Sequence, residues 1–312
     1  MPASSTPARV VVCGDVINDI LVKPVDPVVH GSDTNSVIRA RPGGSAATQA
    51  AWMAHLGLDV VFAGRCGAQD AEYHRRTLAA AGVRASIAAD DDADTGSIVI
   101  MVSPDGERTM FTDRGANLRL RRGDLAARLL DGAAVLHLTG YTFFTPSLLE
   151  VALALIAEAR SGGMLVTIDP GSAAFLARLA PGEFLSWTEG AAICFPNLDE
   201  AAVLTGTVLT GEPDPVAMAA SLAEHYEVVA LKLGGGGCVL AVPGSAPVLV
   251  PAPRVEAQDT TGAGDSFCGA FLSRWLDPAG AGLIGAAEFA VEIAATAVTV
   301  LGGRPPRFHD RG

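Results

Sequence analysis

The sequence predicts an α/β fold in which a mostly parallel sheet carries helices on both faces. Two observations carry this reading. Short apolar runs alternate with longer helical patterns along most of the 312 residues, as parallel strands with crossover helices do. The composition, 49% hydrophobic and 18% charged, is that of a globular chain able to bury a large core.

Taken in order, residues 10–13 form the first strand, and residues 17–41 break the rhythm as an insertion. A helix at 46–56, a strand at 60–63 and a helix at 71–81 restore it. A second insertion spans 95–113, with β-rich arms at 97–102 and 108–112 around a Pro104-Asp105-Gly106 turn, which reads as a hairpin. Strands follow at 135–138, 165–168, 192–195 and 228–231, with helices at 147–160, 199–204 and 215–226. Residues 239–240 and 248–250 look like antiparallel additions near the sheet edge, and an apolar helix runs from 263 to 276. The apolar segment 283–301 is interrupted by Glu288 and Glu292, four residues apart, which marks a wet helix face. Hairpins are weak alone, so the two insertions are expected to pair into a small sheet. Residues 1–312 read as one domain, with a lid built from about 17–41 and 95–113.

A net charge of −12 argues against a nucleic-acid groove or an anionic membrane surface as partner. The two lysines, Lys23 and Lys232, do not follow glycine, so a Gly-Lys-Ser/Thr phosphate loop is absent. Five cysteines scattered without a Cys-x-x-Cys pair read as reduced thiols of a cytoplasmic protein. Six dispersed histidines give no zinc spacing. The polar start Met1-Pro2-Ala3-Ser4-Ser5-Thr6 shows no signal peptide.

The most informative stretch is Asp259-Thr260-Thr261-Gly262-Ala263-Gly264-Asp265 at the head of an apolar helix. Small residues let an anion approach the unpaired N–H groups of the first turn, so Gly262-Ala263-Gly264 is a candidate anion hole. Asp265 would then lie beside a bound phosphate, where it is suited to deprotonating a hydroxyl that attacks a γ-phosphoryl group. The alternative is an aspartate favoured there by the helix dipole alone.

The longer string from Asp259 to Leu272 resembles the C-terminal signature of the PfkB or ribokinase-like family of small-molecule kinases. Pro42-Gly43-Gly44-Ser45-Ala46-Ala47-Thr48-Gln49-Ala50 resembles the family's N-terminal signature. The resemblance runs from Val10 to about Arg304 and implies a ribokinase-like three-layer fold, a mostly parallel sheet with helices on both faces plus a small β-sheet lid. It implies ATP-dependent phosphorylation of a hydroxyl on a small sugar or sugar acid, with Asp265 as general base and ATP with Mg²⁺ as cofactors. In the family the lid covers the sugar site and in some members forms a dimer interface, so a homodimer through the lid is expected.

By the same resemblance, Asp19, Gly43, Gly44 and Thr48 are substrate-site residues, and Asn197, Glu200, Lys232, Gly234 and Gly237 line the nucleotide side. Glu200 would organise water around Mg²⁺, although Asn197 and Glu200 also have capping-box spacing. Asp259 and Thr261 would help hold a monovalent cation such as K⁺. Asp15 and Asn18 are weaker candidates. Arg108 and Arg114 offer guanidinium forks for a carboxylate or phosphate on the substrate, against the alternative of solvated lid charges. Thr48 stands where relatives usually have Asn, Gly140 where ribokinase has an acidic residue, and Val291 near where ribokinase has an adenine-contacting Asn. A nucleoside kinase and a non-catalytic sugar- or nucleotide-sensing protein are the rival readings. A dinucleotide-binding dehydrogenase is disfavoured because Gly14-Asp15-Val16 lacks the glycine fingerprint.

Overall fold

The computed structural model describes residues 7–103, 108–208 and 213–306, Arg108 by its backbone alone. The chain opens with β1 (Arg9–Cys13), β2 (Ile17–Pro24), β3 (Ser36–Gly43), α1 (Ser45–His55) and β4 (Asp59–Gly67). Then come α2 (Ala68–Ala80), β5 (Arg84–Asp90), β6 (Thr95–Val102), β7 (Arg108–Gly115), β8 (Val135–Thr139) and α3 (Pro146–Ser161). The middle holds β9 (Leu165–Asp169), α4 (Ala173–Leu176), α5 (Glu183–Thr188), β10 (Ile193–Cys194), α6 (Leu198–Thr205) and α7 (Pro215–Leu222). The chain continues through β11 (Val228–Lys232), β12 (Cys238–Ala241), β13 (Val248–Val250), α8 (Ala263–Trp275) and α9 (Gly282–Ala297).

Among the described residues, nine strands make one sheet in the order β13-β12-β11-β10-β9-β8-β1-β4-β5. The pairs from β11 across to β5 are parallel, and β12 and β13 add on antiparallel at one edge, as expected. Successive strand side chains point to opposite faces, so a parallel strand covered on both sides is predominantly apolar. Val11, Cys13, Leu136, Leu138, Val229 and Leu231 pack into one core with α3, α6 and α7. Val10, Val12, Val135, Val228 and Ala230 pack into the other with α1, α2, α8 and α9. The three layers follow from these two cores.

The second sheet has the order β3-β2-β6-β7, so the two insertions do pair with each other, through parallel β2 and β6. The hairpin arms β6 and β7 pair from Thr95↔Gly115 to Val102↔Arg108. The Pro104-Asp105-Gly106 turn lies outside the described residues.

Three differences from the sequence reading have physical reasons. β5 was not expected, because an edge strand of small and polar residues (Arg84, Ala85, Ser86, Ala88, Ala89) lacks a clean apolar alternation. β10 is only two residues long, although Ala192 N–H and Phe195 N–H still donate to Val166 and Ile168 carbonyls beside it. α7 ends at Leu222 instead of continuing to 226, its last turn tightening through Glu224 N–H to Ser221 O and His225 N–H to Leu222 O. Glu288 and Glu292 lie on the exposed face of α9 as expected, and all five cysteines are buried free thiols. Among the described residues no helix is long and apolar enough to cross a membrane.

Candidate active site

β1, β8, β9, β10 and β11 all end on the same side of the sheet, and the chemistry-bearing side chains gather there. Two helices bring the two sequence signatures together. On α1, Ser45, Gln49 and Trp52 fall at i, i+4 and i+7, hence on one face. On α8, Gly269 meets that face so closely that a Cβ would lie 2.6 Å from Trp52 Cβ. The bare backbone at Gly269 therefore lets the helices approach, which sets Ser45 and Gln49 against Asp265 in the first turn of α8.

Ser45 Oγ donates to Asp265 Oδ1 at 2.7 Å, and Gln49 Nε2 donates to the same oxygen at 2.9 Å. Gln49 Nε2 also reaches Asp169 Oδ2, at the end of β9, at 2.6 Å. Lys232 Nζ, at the end of β11, lies 3.0 Å from Asp169 Oδ1 and 3.9 Å from Cys268 Sγ. Behind them His137 Nε2 bonds Gln49 Oε1, and His137 Nδ1 meets Thr167 Oγ1 at 2.7 Å. Loss of hydration pushes the Asp265 carboxyl up to about 7; the Asp169 charge adds to this, while Ser45, Gln49 and Lys232 pull the other way. Burial alone would lower the Lys232 ammonium, but Asp169, Cys268 and Glu200 beside it raise it overall, so it is charged. The sequence reading placed Lys232 on the nucleotide. In the structure its ammonium pairs with Asp169, and a Cβ on Gly264 would lie only 3.4 Å from Nζ. Its charge thus sits beneath the first turn of α8.

Around the proposed acceptor end, Gly43 makes room for Asp19: a Cβ there would fall 2.1 Å from Asp19 Oδ2. Gly44 adopts φ 92° and presses on the Asp15 carbonyl, so both glycines are required by packing as well as by any ligand. Asp15 is a helix cap reached from another segment, its carboxylate accepting Ser45 N–H at 3.1 Å and Ala46 N–H at 3.3 Å. Burial, then the Asp15 charge, push Asp19 up to about 6, against the pull of Arg304. Thr48 is almost fully buried one turn into α1. Asn18 is held by Asp70 and His74. Arg114 is not a solvated lid charge: it is buried, donates to the Tyr141 carbonyl at 2.9 Å and lies over the Tyr141 ring.

On the proposed nucleotide side, Asn197 and Glu200 form the capping box of α6, and Glu200 Oε1 also accepts Ser172 N–H at 3.0 Å. Each Glu200 oxygen thus has one backbone donor and keeps a lone pair, which fits outer-sphere contact with a hydrated Mg²⁺. Among the described residues no cluster of three or more acidic, His or Cys side chains could hold a metal directly. A Cβ at Gly234 or Gly235 would meet nothing within 4 Å, so that turn leaves open space for a ligand. Gly237 is different: its Cβ would lie 2.0 Å from the Val250 carbonyl, so packing on β13 already requires glycine. Asp259 accepts Thr261 N–H and Gly302 N–H at 2.9 Å each, tying the loop before α8 to the segment after α9. Val291 is 5% exposed and packs in the core.

Sequence reasoning missed Ser45, Gln49, His137, Asp169 and Arg304. Asp169 was within reach, since it stands one residue beyond a recognised apolar strand, where sheet ligands bind. Arg304 donates to the Gly43 carbonyl at 3.2 Å and to Thr77 at 3.3 Å, closing the C-terminal segment over β3. Gly140 also acquires a reason. A Cβ there would fall 1.5 Å from the Pro170 carbonyl, so the 170–172 loop is drawn in over it. Gly140→Ala is therefore expected to cost about 1–3 kcal/mol by overpacking, read as a lowered denaturant midpoint.

A glycine-capped helix start and a raised carboxylate thus lie together over the carboxyl ends of a parallel sheet, where α/β proteins bind their ligands. The pfkB family carbohydrate kinase profile matches residues 7–309, and the chain belongs to that family: it is a carbohydrate kinase of the PfkB type with ATP as co-substrate. It is 28% identical over 281 residues to the ATP-dependent ribose-1-phosphate kinase of Halopiger xanaduensis, covering 86% of this chain and 85% of that protein. It is 28% identical over 247 residues to the bifunctional ribokinase/ribose-5-phosphate isomerase A of Fructilactobacillus sanfranciscensis. That match covers 77% of this chain but spans only 43% of the bifunctional protein. Among solved structures, adenosine kinase from Sinorhizobium meliloti superposes with a TM-score of 0.84 at 24% identity, over 96% of both chains. Ribokinase from Giardia lamblia gives 0.80 at 23% identity, over 96% of this chain and 95% of that one. These two are likenesses of fold.

Proposed function

We propose that the chain transfers the γ-phosphoryl group of ATP to a hydroxyl of a small sugar or sugar acid, with Asp265 taking the proton. The observation that carries this is a carboxylate in the first turn of α8, held by Ser45 and Gln49 and raised to about 7. A base serves best when its pKa lies near the working pH. Gly262-Ala263-Gly264 present the helix start to the transferring group, and the Lys232 ammonium beneath Gly264 offsets charge that develops there. Asp19 accepts hydrogen bonds from substrate hydroxyls, with Gly43, Gly44, Thr48 and Arg108 completing the acceptor side. Asn197, Gly234 and Gly237 line the nucleotide, and Glu200 holds Mg²⁺ through water; the metal supplies charge neutralisation on the phosphates. A monovalent cation such as K⁺ would be held beside Asp259 and Thr261. The exposed Val37, Ile38, Met110 and Phe111 of the small sheet support its use as a lid and as a homodimer contact.

The test is ADP release with Mg²⁺ and K⁺ across sugars, sugar acids, sugar phosphates and nucleosides. Strong turnover with a sugar or sugar acid is expected. Turnover with nucleosides alone would overturn the acceptor assignment, and ATP binding without turnover on any acceptor would point to a sensor. The pH dependence has a defined sign: Asp265 works only when ionised, so kcat/KM is expected to fall about tenfold per pH unit below a midpoint of about 7.

A further inference from the structure

We infer that Gln49 is the positioning residue of this site, its amide fixed by His137 and bridging Asp265 to Asp169. The inference rests on the reading of Asp265 as the base. It goes further by assigning the geometry of that base to a side chain on the other signature helix.

The proton placement follows from counting donors. Asp169 and Asp265 accept, so the NH₂ end of Gln49 must face them, at 2.6 and 2.9 Å. Its carbonyl end then faces His137 Nε2, which must carry a hydrogen. His137 Nδ1 is left as an acceptor for the Thr167 hydroxyl. Burial, more than the neighbouring Lys232, pushes the His137 imidazole down to about 4, so it stays neutral and this tautomer persists across the working range. Gln49 and His137 are both fully buried, and a flipped amide would set its oxygen against two carboxylates. One orientation is therefore enforced.

The consequence lies at Asp265. Ser45 and Gln49 both bond Oδ1, which fixes the rotation of the carboxylate and leaves Oδ2 out of this pair of contacts. We assign Oδ2 to the acceptor hydroxyl. The ionisable groups facing Asp265 are Asp169 on β9, Lys232 on β11, Cys268 on α8 and Tyr141 after β8. Ser45 and Gln49 are neutral donors that stabilise ionised Asp265 directly, and of the two Gln49 also reaches Asp169. Removing its donor hydrogens must raise the proton affinity of Asp265.

The test needs no acceptor substrate. Protein labelled with ¹³C at the aspartate carboxyls is titrated by NMR, the Asp265 signal being the one lost in Asp265→Asn. Gln49→Met keeps the volume and removes the donor. The Asp265 midpoint is expected to rise by about one unit, a tenfold gain in proton affinity. The acid limb of kcat should move up by the same amount, with KM for ATP unchanged. If Gln49→Met does not fold, Gln49→Leu decides: it also lacks a donor hydrogen, adds no charge, and must also raise the midpoint. An unmoved midpoint in the folded variant overturns the inference, since loss of packing alone would lower stability without shifting this titration. Turnover of Asp265→Asn reports separately on the base assignment. An inactive Asp265→Asn with an unmoved Gln49→Met midpoint defeats the bridge alone, and an active Asp265→Asn defeats the base.

Discussion

Asp265→Asn is expected to lower kcat by about 10²–10⁴-fold, the usual contribution of a positioned general base. At 1.36 kcal/mol per factor of ten, that loss is about 3–5 kcal/mol of transition-state stabilisation. The substitution is nearly isosteric, and Asn keeps an oxygen for the Ser45 hydroxyl and the Gln49 amide. The packing of α1 on α8 should therefore survive. ATP affinity should be unchanged or slightly tighter, because a negative charge is removed from beside the phosphates. Single-turnover ADP formation and calorimetric titration with ATP separate the two quantities. A loss in kcat without a loss in ATP binding is the pattern of a group that acts only in the transition state. Near-normal turnover would remove Asp265 from the mechanism.

The frame was legible because its signals are local. A strand buried on both faces is predominantly apolar, and β1, β8, β9 and β11 are, with His137 and Thr167 as the polar interruptions in β8 and β9. The two ends of the site were legible for the same reason, since glycine and small residues mark places where something must come close. The network around Asp265 was not, because its partners are far apart in the chain: Gln49 meets His137, Asp169 and Asp265 at separations of 88, 120 and 216 residues. No periodicity encodes such meetings. A weak clue existed in Gln49 itself, a large polar side chain among Ala46, Ala47, Ala50 and Ala51 on a buried helix. A polar group there must find partners, and those partners were side chains on the sheet. The partner of Lys232 was hidden for a related reason. The position of Lys232 after a strand suggests a phosphate ligand, but only the fold reveals that Asp169 ends the next strand but one and takes its charge.

Lys232→Met is expected to be the most destabilising single change at this site. Removing one partner of a buried ion pair leaves the other charge uncompensated, at a cost of about 3–5 kcal/mol. Asp169 has a side chain only 6% exposed and shares its surroundings with Asp265, so water cannot readily replace the ammonium. The denaturant midpoint should fall accordingly. Activity should fall too, for a separable reason: the positive charge beneath Gly264 is also lost. A second substitution tells the two effects apart. In Lys232→Met with Asp169→Asn neither charge is buried, and the amide can still accept from Gln49. Stability should then return most of the way, as it does when both members of a buried pair are neutralised together. The pull of Lys232 and the push of Asp169 on Asp265 vanish together, so the acid limb should stay near its original position. Turnover should nevertheless remain low, because nothing positive lies under the first turn of α8. Recovery of both stability and kcat in the double variant would show that the pair serves the fold alone.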